Sequence, residues 1–338
     1  MLHKVTEENK EELFSSLFTI NGLLARAAYD LGLPVSVYEG ANMFQVKIGR
    51  HSIPIKSIQT PLDTYAATAI ANNKFYNNTV WQAAEIPVAP FTRIYKKDFK
   101  KGNWDIDGLS FPLVIKPNHG TVKGNGVITD IRTPKRLEKL LTKAFEDYSY
   151  MLVEEYATGL KDYRVLVLNN QVLGVLERVP AFVIGNGVDT IDTLIDKKNK
   201  RREKRSAEGL GPIKVNRELH RTIKKQGFTI DSGIPKKRQR VQLKNVCNLG
   251  AGGEVHDVTD RIHPDNVKLA IKACKAIDLN LAGLDFLCEN IAKPLDDQRG
   301  HLIEANPNPD IAMHQFPQSG ESRDIAIQVM KAIKKMYT

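Results

Sequence analysis

Two carboxylates stand in apolar surroundings. Asp285 lies in the run Leu281-Ala282-Gly283-Leu284-Asp285-Phe286-Leu287, and Glu304 and Asn306 follow in His301-Leu302-Ile303-Glu304-Ala305-Asn306-Pro307. An ionised carboxylate without a partner on a buried strand is costly, so each requires one. If the two runs pair as a hairpin, both carboxylates and the Asn306 amide oxygen converge as hard ligands suited to Mg²⁺ held jointly with phosphates. The plainer reading is that each carboxylate caps a turn or pairs with an arginine; the Glu-x-Asn-Pro spacing favours the metal. A second group suits phosphate. Lys116 ends the apolar run Phe111-Pro112-Leu113-Val114-Ile115, and the loop His119-Gly120-Thr121-Val122-Lys123-Gly124-Asn125-Gly126-Val127 follows. Glycines let backbone N–H groups approach phosphate oxygens. The loop lacks the G-K-[ST] ending of a P-loop, and a hairpin turn is its plain alternative.

The elements that must carry these groups follow from periodicity. Helical spacing runs from Glu8 to Leu31, from Thr64 to Ala84, from Thr133 and Pro134 to Ala144, from Pro264 to Ile277 and from Ser322 to Met336. Strand-like runs are Val35–Tyr38, Phe44–Ile48, His51–Ile55, Phe91–Tyr95, Leu113–Lys116, Met151–Glu154, Tyr163–Leu168, Gln171–Val179, Ala181–Ile184, Val241–Cys247, Ala282–Cys288 and His301–Ala305. This mixture predicts an α/β (α+β) chain with a short N-terminal α/β cap. A length of 338 residues with 42% hydrophobic composition is enough for about two domains or one large unit. No apolar stretch is long enough for a membrane helix, and the N-terminus lacks a signal-peptide core, so the expected location is the cytoplasm without membrane contact. Cys247, Cys274 and Cys288 are too far apart for a Cys-x-x-Cys pair, which argues against a disulfide framework or zinc site.

The net charge of +10 raises the question of an acidic ligand or a nucleic acid. Its excess gathers in Lys197–Arg205 and Lys236–Arg240, inside a stretch of about 195–240 with little apolar periodicity and no aromatic in either block. The expectation is a mobile lid that favours an acidic small molecule over nucleic acid. His119, His256 and His314 lie near these motifs and are expected to be structural hydrogen-bonders.

The order of motifs resembles the ATP-grasp superfamily, most closely the ATP-grasp portion of cyanophycin synthetase and of the fused bacterial glutathione synthetases. The resemblance rests on Glu177-Arg178-Val179-Pro180-Ala181-Phe182-Val183-Ile184-Gly185-Asn186-Gly187, Gly227-Phe228-Thr229-Ile230-Asp231-Ser232, Asn248-Leu249-Gly250-Ala251-Gly252-Gly253, Asp257-Val258-Thr259-Asp260 and Ala282-Gly283-Leu284-Asp285, and covers about residues 60–320. It implies a cap over 1–62, a central and lid subdomain over 63–155, and a C-terminal subdomain over 156–338 that includes the basic insertion.

The same resemblance implies ATP and two Mg²⁺ ions, with Mn²⁺ as a substitute, and assigns Asp285, Glu304 and Asn306 to the metal. Lys74 and Lys116 resemble phosphate-binding lysines and are expected at the cleft surface, and Gly120, Gly124 and Gly126 resemble a phosphate lid. Glu154, Glu155, Tyr156 and Ala157 look like the segment that reads adenine, with Ile303 under the base. Asp162 is the candidate for the ribose, although Lys161 cannot be separated from it. Arg178 and Lys244 resemble the basic positions that face the acylphosphate. Asn248 and Gly252 are further catalytic candidates, and Arg178 together with the backbone N–H groups of Gly250–Gly253 is expected to stabilise the oxyanion. Two departures stand out: Asn77-Asn78 where a cation is usual, and Gly250 where a serine is usual.

The activity that the resemblance implies is that of a carboxylate–amine ligase, acting through an acylphosphate on small amino-acid or peptide substrates, one of them acidic. A homo-oligomer is compatible with this reading. The chain has no room for the Mur-ligase-like half of cyanophycin synthetase, so alternating polymerisation is not implied. The alternatives are a glutathione-synthetase-like peptide ligase, a basic nucleic-acid binder, and a degenerate domain that holds nucleotide without turnover.

Overall fold

A computed structural model describes residues 1–118 and 126–338. The chain divides into two compact units: one holds Met1–Leu62, Leu173–Asp260 and Asn308–Thr338, the other Asp63–Val172 and Arg261–Pro307.

The second unit contains an antiparallel sheet in the order Phe91–Tyr95, Tyr150–Glu155, Leu113–Pro117, Ile128–Ile131. Helix Pro134–Asp147 covers it. Thr133 caps the helix by accepting from the Arg136 N–H, and Pro134 sits where no amide is needed. Leu137, Leu141 and Phe145 on one helix face pack against Ile94, Leu113, Ile115 and Met151 of the sheet. The same unit pairs Lys161–Leu168 with Leu281–Cys288, and the latter with Gly300–Asn306, all antiparallel.

The first unit contains the sheet Leu2–Lys4, Val35–Tyr38, Met43–Ile48, His51–Ile55. Helix Thr19–Asp30 and the C-terminal helix Ile325–Tyr337 pack together in this unit. Gln171–Val179 pairs through its last four residues with Glu254–Asp257.

Both long N-terminal helices expected from periodicity are interrupted. Lys10–Ser15 and Thr19–Asp30 are separate, since Phe18 is extended and its N–H donates to Asn42 Oδ1 at 2.8 Å. Tyr65–Asn72 and Lys74–Ala83 are separate because Asn73 is extended and its side chain caps the second helix. The apolar spacing continues through each break, so hydropathy alone cannot reveal them. The run expected as a strand over Val241–Cys247 is strand only at Arg240–Gln242; beyond it the Leu243 N–H donates instead to the Ala181 carbonyl at 2.7 Å.

The larger correction concerns 195–240, which is folded rather than a coreless lid. Helices Ile191–Glu203 and Arg217–Lys224 enclose a core of Ile191, Ile195, Ile213, Leu219, Ile223, Ile230, Val241 and Leu243. The buried stripe of the first helix runs Ile191, Ile195, Lys198, Arg202, so its second half consists of cations whose heads find partners. Hydropathy scores such residues as solvated, and the stripe is invisible in the sequence. Residues 191–240 carry 16 Lys and Arg against 6 Asp and Glu, an excess of ten that equals the net charge of the whole chain. Lys197, Lys200, Arg201 and Lys204 are exposed at helical spacing on one face.

Candidate active site

In the second unit the expected hairpin forms, and Asp285 and Glu304 are direct cross-strand partners, with Gly283 opposite Asn306. The register then slips, so that Phe286 faces Leu302 and Ile303 is the extra residue of a β-bulge. Leu302 and Ala305 are buried, whereas His301, Ile303, Glu304 and Asn306 are all half-buried. The bulge thus turns Ile303 and Glu304 to the same open side, where strict alternation would have separated them.

On the neighbouring strand Arg164 stands opposite Asp285, and its Nε lies 2.9 Å from Asp285 Oδ1. Lys74 Nζ lies 2.6 Å from Glu304 Oε2. The two carboxylates are therefore neighbours, each flanked by a cation on its outer side. Burial works against the charge on Glu304, but Lys74, with Lys116 and Arg164 beyond it, holds this carboxyl down to about 2. The Asn306 Nδ2 donates to the Gly283 carbonyl at 3.3 Å and to Glu304 Oε1 at 3.4 Å. Two carboxylates and an amide oxygen are the donor types that a hard divalent cation takes. Among the described residues no group of three or more His, Cys, Asp or Glu could hold a metal, so oxygens from water or a ligand would have to complete its shell.

Lys116 is not at a cleft surface as expected. It is 9% exposed and paired with Glu154, which is 4% exposed. Asn78, equally buried, donates to the other Glu154 oxygen at 3.1 Å. A neutral donor thus serves Glu154 at the position where a cation is usual. Asn118 fixes the start of the Lys74 helix, since its carbonyl accepts from the Lys74 N–H at 3.2 Å and its Oδ1 from the Phe75 N–H at 2.9 Å.

Glu155, Tyr156 and Ala157 line a cavity of about 260 Å³ together with Val88, Pro90, Phe111 and His301. Its size is near the lower end for small-molecule sites. The Tyr156 N–H is used by the Pro112 carbonyl at 2.8 Å, whereas the Ala157 N–H has no acceptor among the described residues. Burial lowers the pKa of His301, against the pull of Glu154 and with that of Lys116, which favours the neutral imidazole. Ile303 does not line this cavity; it stays beside Glu304 on the bulge. Asp162 alternates with Arg164 onto the face of Asp285, and Lys161 points the opposite way. Gly126 has φ +77°, and a Cβ there would lie 2.7 Å from Pro117 Cγ. Gly120, Gly124 and His119 lie outside the described residues.

The first unit carries Arg178, Lys244, Asn248 and Gly252. Arg178 is on the Gln171–Val179 strand opposite Val255. Lys244 is 5% exposed, and its ammonium has no hydrogen-bond or ion-pair partner among the described residues. The turn Asn248–Gly253 corrects the expectation of free backbone donors. Its Gly250 N–H donates to Asn248 Oδ1 at 2.8 Å, those of Ala251 and Gly253 to the Asn248 carbonyl at 3.0 and 2.8 Å, and that of Gly252 to the Leu249 carbonyl at 3.2 Å. All four are consumed within the turn. The Asn248 Nδ2 is left over as a side-chain donor, because its Oδ1 is held as an acceptor, and the backbone N–H groups of Asn248 and Leu249 likewise have no acceptor among the described residues. Gly252 has φ +103°, and a Cβ there would meet Ile213 Cγ1 at 2.4 Å.

His256 and His314 are packed into the structure: His256 Nδ1 is 2.7 Å from Ser319 Oγ, and His314 is 1% exposed beneath Gly174. Sequence reasoning missed Arg164, His301 and Arg202. A charged residue inside the apolar strand Tyr163–Leu168 was the available signal for Arg164, since it too requires a partner.

Antiparallel strands bearing a paired-carboxylate hairpin, two carboxylate-bound lysines and a cavity at the strand end go with the fold of the ATP-grasp ligases, to which the chain is similar. Residues 80–232 match the family described as D-ala D-ala ligase C-terminus. The chain is 36% identical over 308 residues to cyanophycin synthetase of Crocosphaera subtropica, covering 88% of this chain and 34% of that protein. It is 33% identical over 286 residues to the glutathione biosynthesis bifunctional protein GshAB of Clostridium perfringens, covering 81% of this chain and 35% of that protein. The bifunctional glutathione synthetase structure from Pasteurella multocida is similar with a TM-score of 0.71 at 29% identity, over 96% of this chain and 44% of that one. The chain thus spans about a third of the length of the curated relatives it matches. No helix among the described residues is long and apolar enough to cross a membrane.

Proposed function

We propose that the chain is an ATP-dependent carboxylate–amine ligase that forms an amide through an acylphosphate on amino-acid or peptide substrates in the cytoplasm. The observation that carries this reading is the Asp285–Glu304 cross-strand pair with Lys74 bound to its outer oxygen. Asp285, Glu304 and Asn306 would hold Mg²⁺, two ions in the full reading, which supplies charge neutralisation for the triphosphate. Lys74 and Lys116 are pre-placed by their carboxylates and would turn to phosphate when a cation relieves Glu304 and nucleotide competes for Lys116. The cavity at Glu155–Ala157 would take the adenine, with the Ala157 N–H as its donor, and Asp162 would meet the ribose.

A substrate carboxylate would attack the γ-phosphorus, releasing ADP and leaving the acylphosphate; an amine then displaces phosphate from the acyl carbon and loses a proton. Lys244 and Arg178 would face the acylphosphate, and the Asn248 Nδ2 takes the oxyanion role first expected of the Gly250–Gly253 amides. No enzyme nucleophile is required.

Titration calorimetry with Mg-ATP, followed by ADP release over amino acids and dipeptides, tests the reading. A substrate pair that gives ADP, phosphate and a new amide in equal amounts supports it. Mg-ATP binding without turnover would instead identify a degenerate nucleotide-binding domain.

A further inference from the structure

The turn Asn248–Gly253 is held from outside by one side chain. Arg202, 5% exposed, donates from Nε to the Gly211 carbonyl at 2.6 Å, from Nη1 to Gly253 at 3.1 Å and from Nη2 to Leu249 at 2.6 Å. Two of these carbonyls lie at the two ends of the turn, and the third belongs to the segment packed on it. A Cβ on Gly211 would lie 2.1 Å from the Gly250 oxygen. The helix that carries Arg202 is itself anchored. Asn199 exchanges two hydrogen bonds with the Ile213 backbone at 2.8 and 3.1 Å, and Lys198 Nζ donates to the Phe182 carbonyl at 2.7 Å and pairs with Glu254 at 2.6 Å.

We propose that Arg202 is a positioning residue, whose planar fork fixes this turn so that the Asn248 amide is presented in one orientation for the amine-transfer half of the reaction. The inference rests on the ligase reading above. The physical need is specific: every backbone N–H of Gly250–Gly253 is spent on closing the turn, so the side-chain donor that the turn still offers, the Asn248 amide, is only as well aimed as the turn is rigid. A guanidinium reaches three carbonyls with donors spread over a rigid plane, whereas the three donors of a lysine radiate from one point on a flexible stem.

The test uses the full chain, with the amino acid or dipeptide pair that gives the most ADP. R202K and R202Q should raise amide hydrogen exchange across 249–253 at least tenfold and lower kcat for amide formation at least tenfold. KM for Mg-ATP should stay within twofold, as should acylphosphate formation, read without amine as positional isotope exchange in ATP with a labelled bridging oxygen. G211A displaces the turn by crowding the Gly250 oxygen while keeping the Arg202 side chain in the protein, and should give the same split, which keeps the test decisive if an Arg202 variant folds poorly. N248D, which retains the acceptor and loses the donor, should lower kcat with exchange unchanged. Unchanged exchange in R202K and R202Q overturns the clamp, and raised exchange with unaltered kcat makes Arg202 merely structural and overturns the proposal. If the wild type releases no ADP with any pair, the ligase reading fails and the role falls with it, while exchange still decides whether the clamp exists.

Discussion

Lys116 and Glu154 are buried together, so the lysine serves the fold as well as the chemistry. K116M should therefore weaken Mg-ATP binding and also destabilise the nucleotide-free protein by about 3–5 kcal/mol, the usual cost of leaving one buried charge alone. Replacing both partners by apolar residues, K116M with E154L, should recover much of that stability without restoring nucleotide binding; urea unfolding and calorimetry read the two effects separately. The metal carboxylates divide in the same manner. D285N and E304Q should each reduce ADP formation at least about a hundredfold, since charge neutralisation is lost in the transition state. D285N should also cost more apo stability than E304Q, because it removes the charge that faces the buried Arg164 guanidinium, whereas Lys74 can turn to solvent. Wild-type rates in both variants would remove the metal assignment.

At the scale of elements, the glycine-rich turn makes opposite demands at two positions. Gly252 combines φ +103° with a Cβ clash on Ile213, so G252A should cost about 2 kcal/mol or more. A Cβ at Gly250 would meet only Asn248 Oδ1, at 3.3 Å, and G250S should change stability by less than about 1 kcal/mol. Equal melting temperatures for the two variants would contradict the turn geometry. Near the strand end of the same unit, Arg323 donates to both oxygens of Asp257 at 2.9 and 3.1 Å. Burial opposes the charge on Asp257, yet Arg323 and the Thr259 hydroxyl hold its carboxyl below the usual range. As pH falls the unfolded chain is protonated first, so this stabilisation is complete above about pH 4 and is lost as pH drops through the depressed folded value. R323Q should flatten the acid limb of a melting-temperature profile, leaving the slope near neutrality unchanged.

For the whole molecule, the charge excess belongs to a folded surface on the 191–240 segment, where the acidic substrate expected from the sequence can be tested. Neutralising Lys200, Arg201 and Lys204 should raise KM for that substrate more than KM for ATP, with an effect that shrinks in salt. Salt-dependent loss of DNA or RNA binding with intact kinetics would point the other way. The sequence by itself pointed to residues that needed partners, since a carboxylate among Leu281–Leu287 is intelligible only as half of a pair, and it determined most of the sheet strands, whose apolar runs are local, but not Leu2–Lys4, Ile128–Ile131 or Glu254–Asp257. It also determined the order of motifs that marks the superfamily. Tertiary structure alone decided who the partners are. Arg164 and Asp285 are remote in sequence, as are Lys74 and Glu304, and strand register rather than spacing unites them. The bulge at Ile303 and the spent amides of Gly250–Gly253 are likewise outcomes of backbone geometry. The basic insertion read as a loop because Lys198 and Arg202 count as polar in any hydropathy pattern. Their burial depends on carbonyls and a carboxylate supplied by distant segments, and that is information no local window of sequence contains.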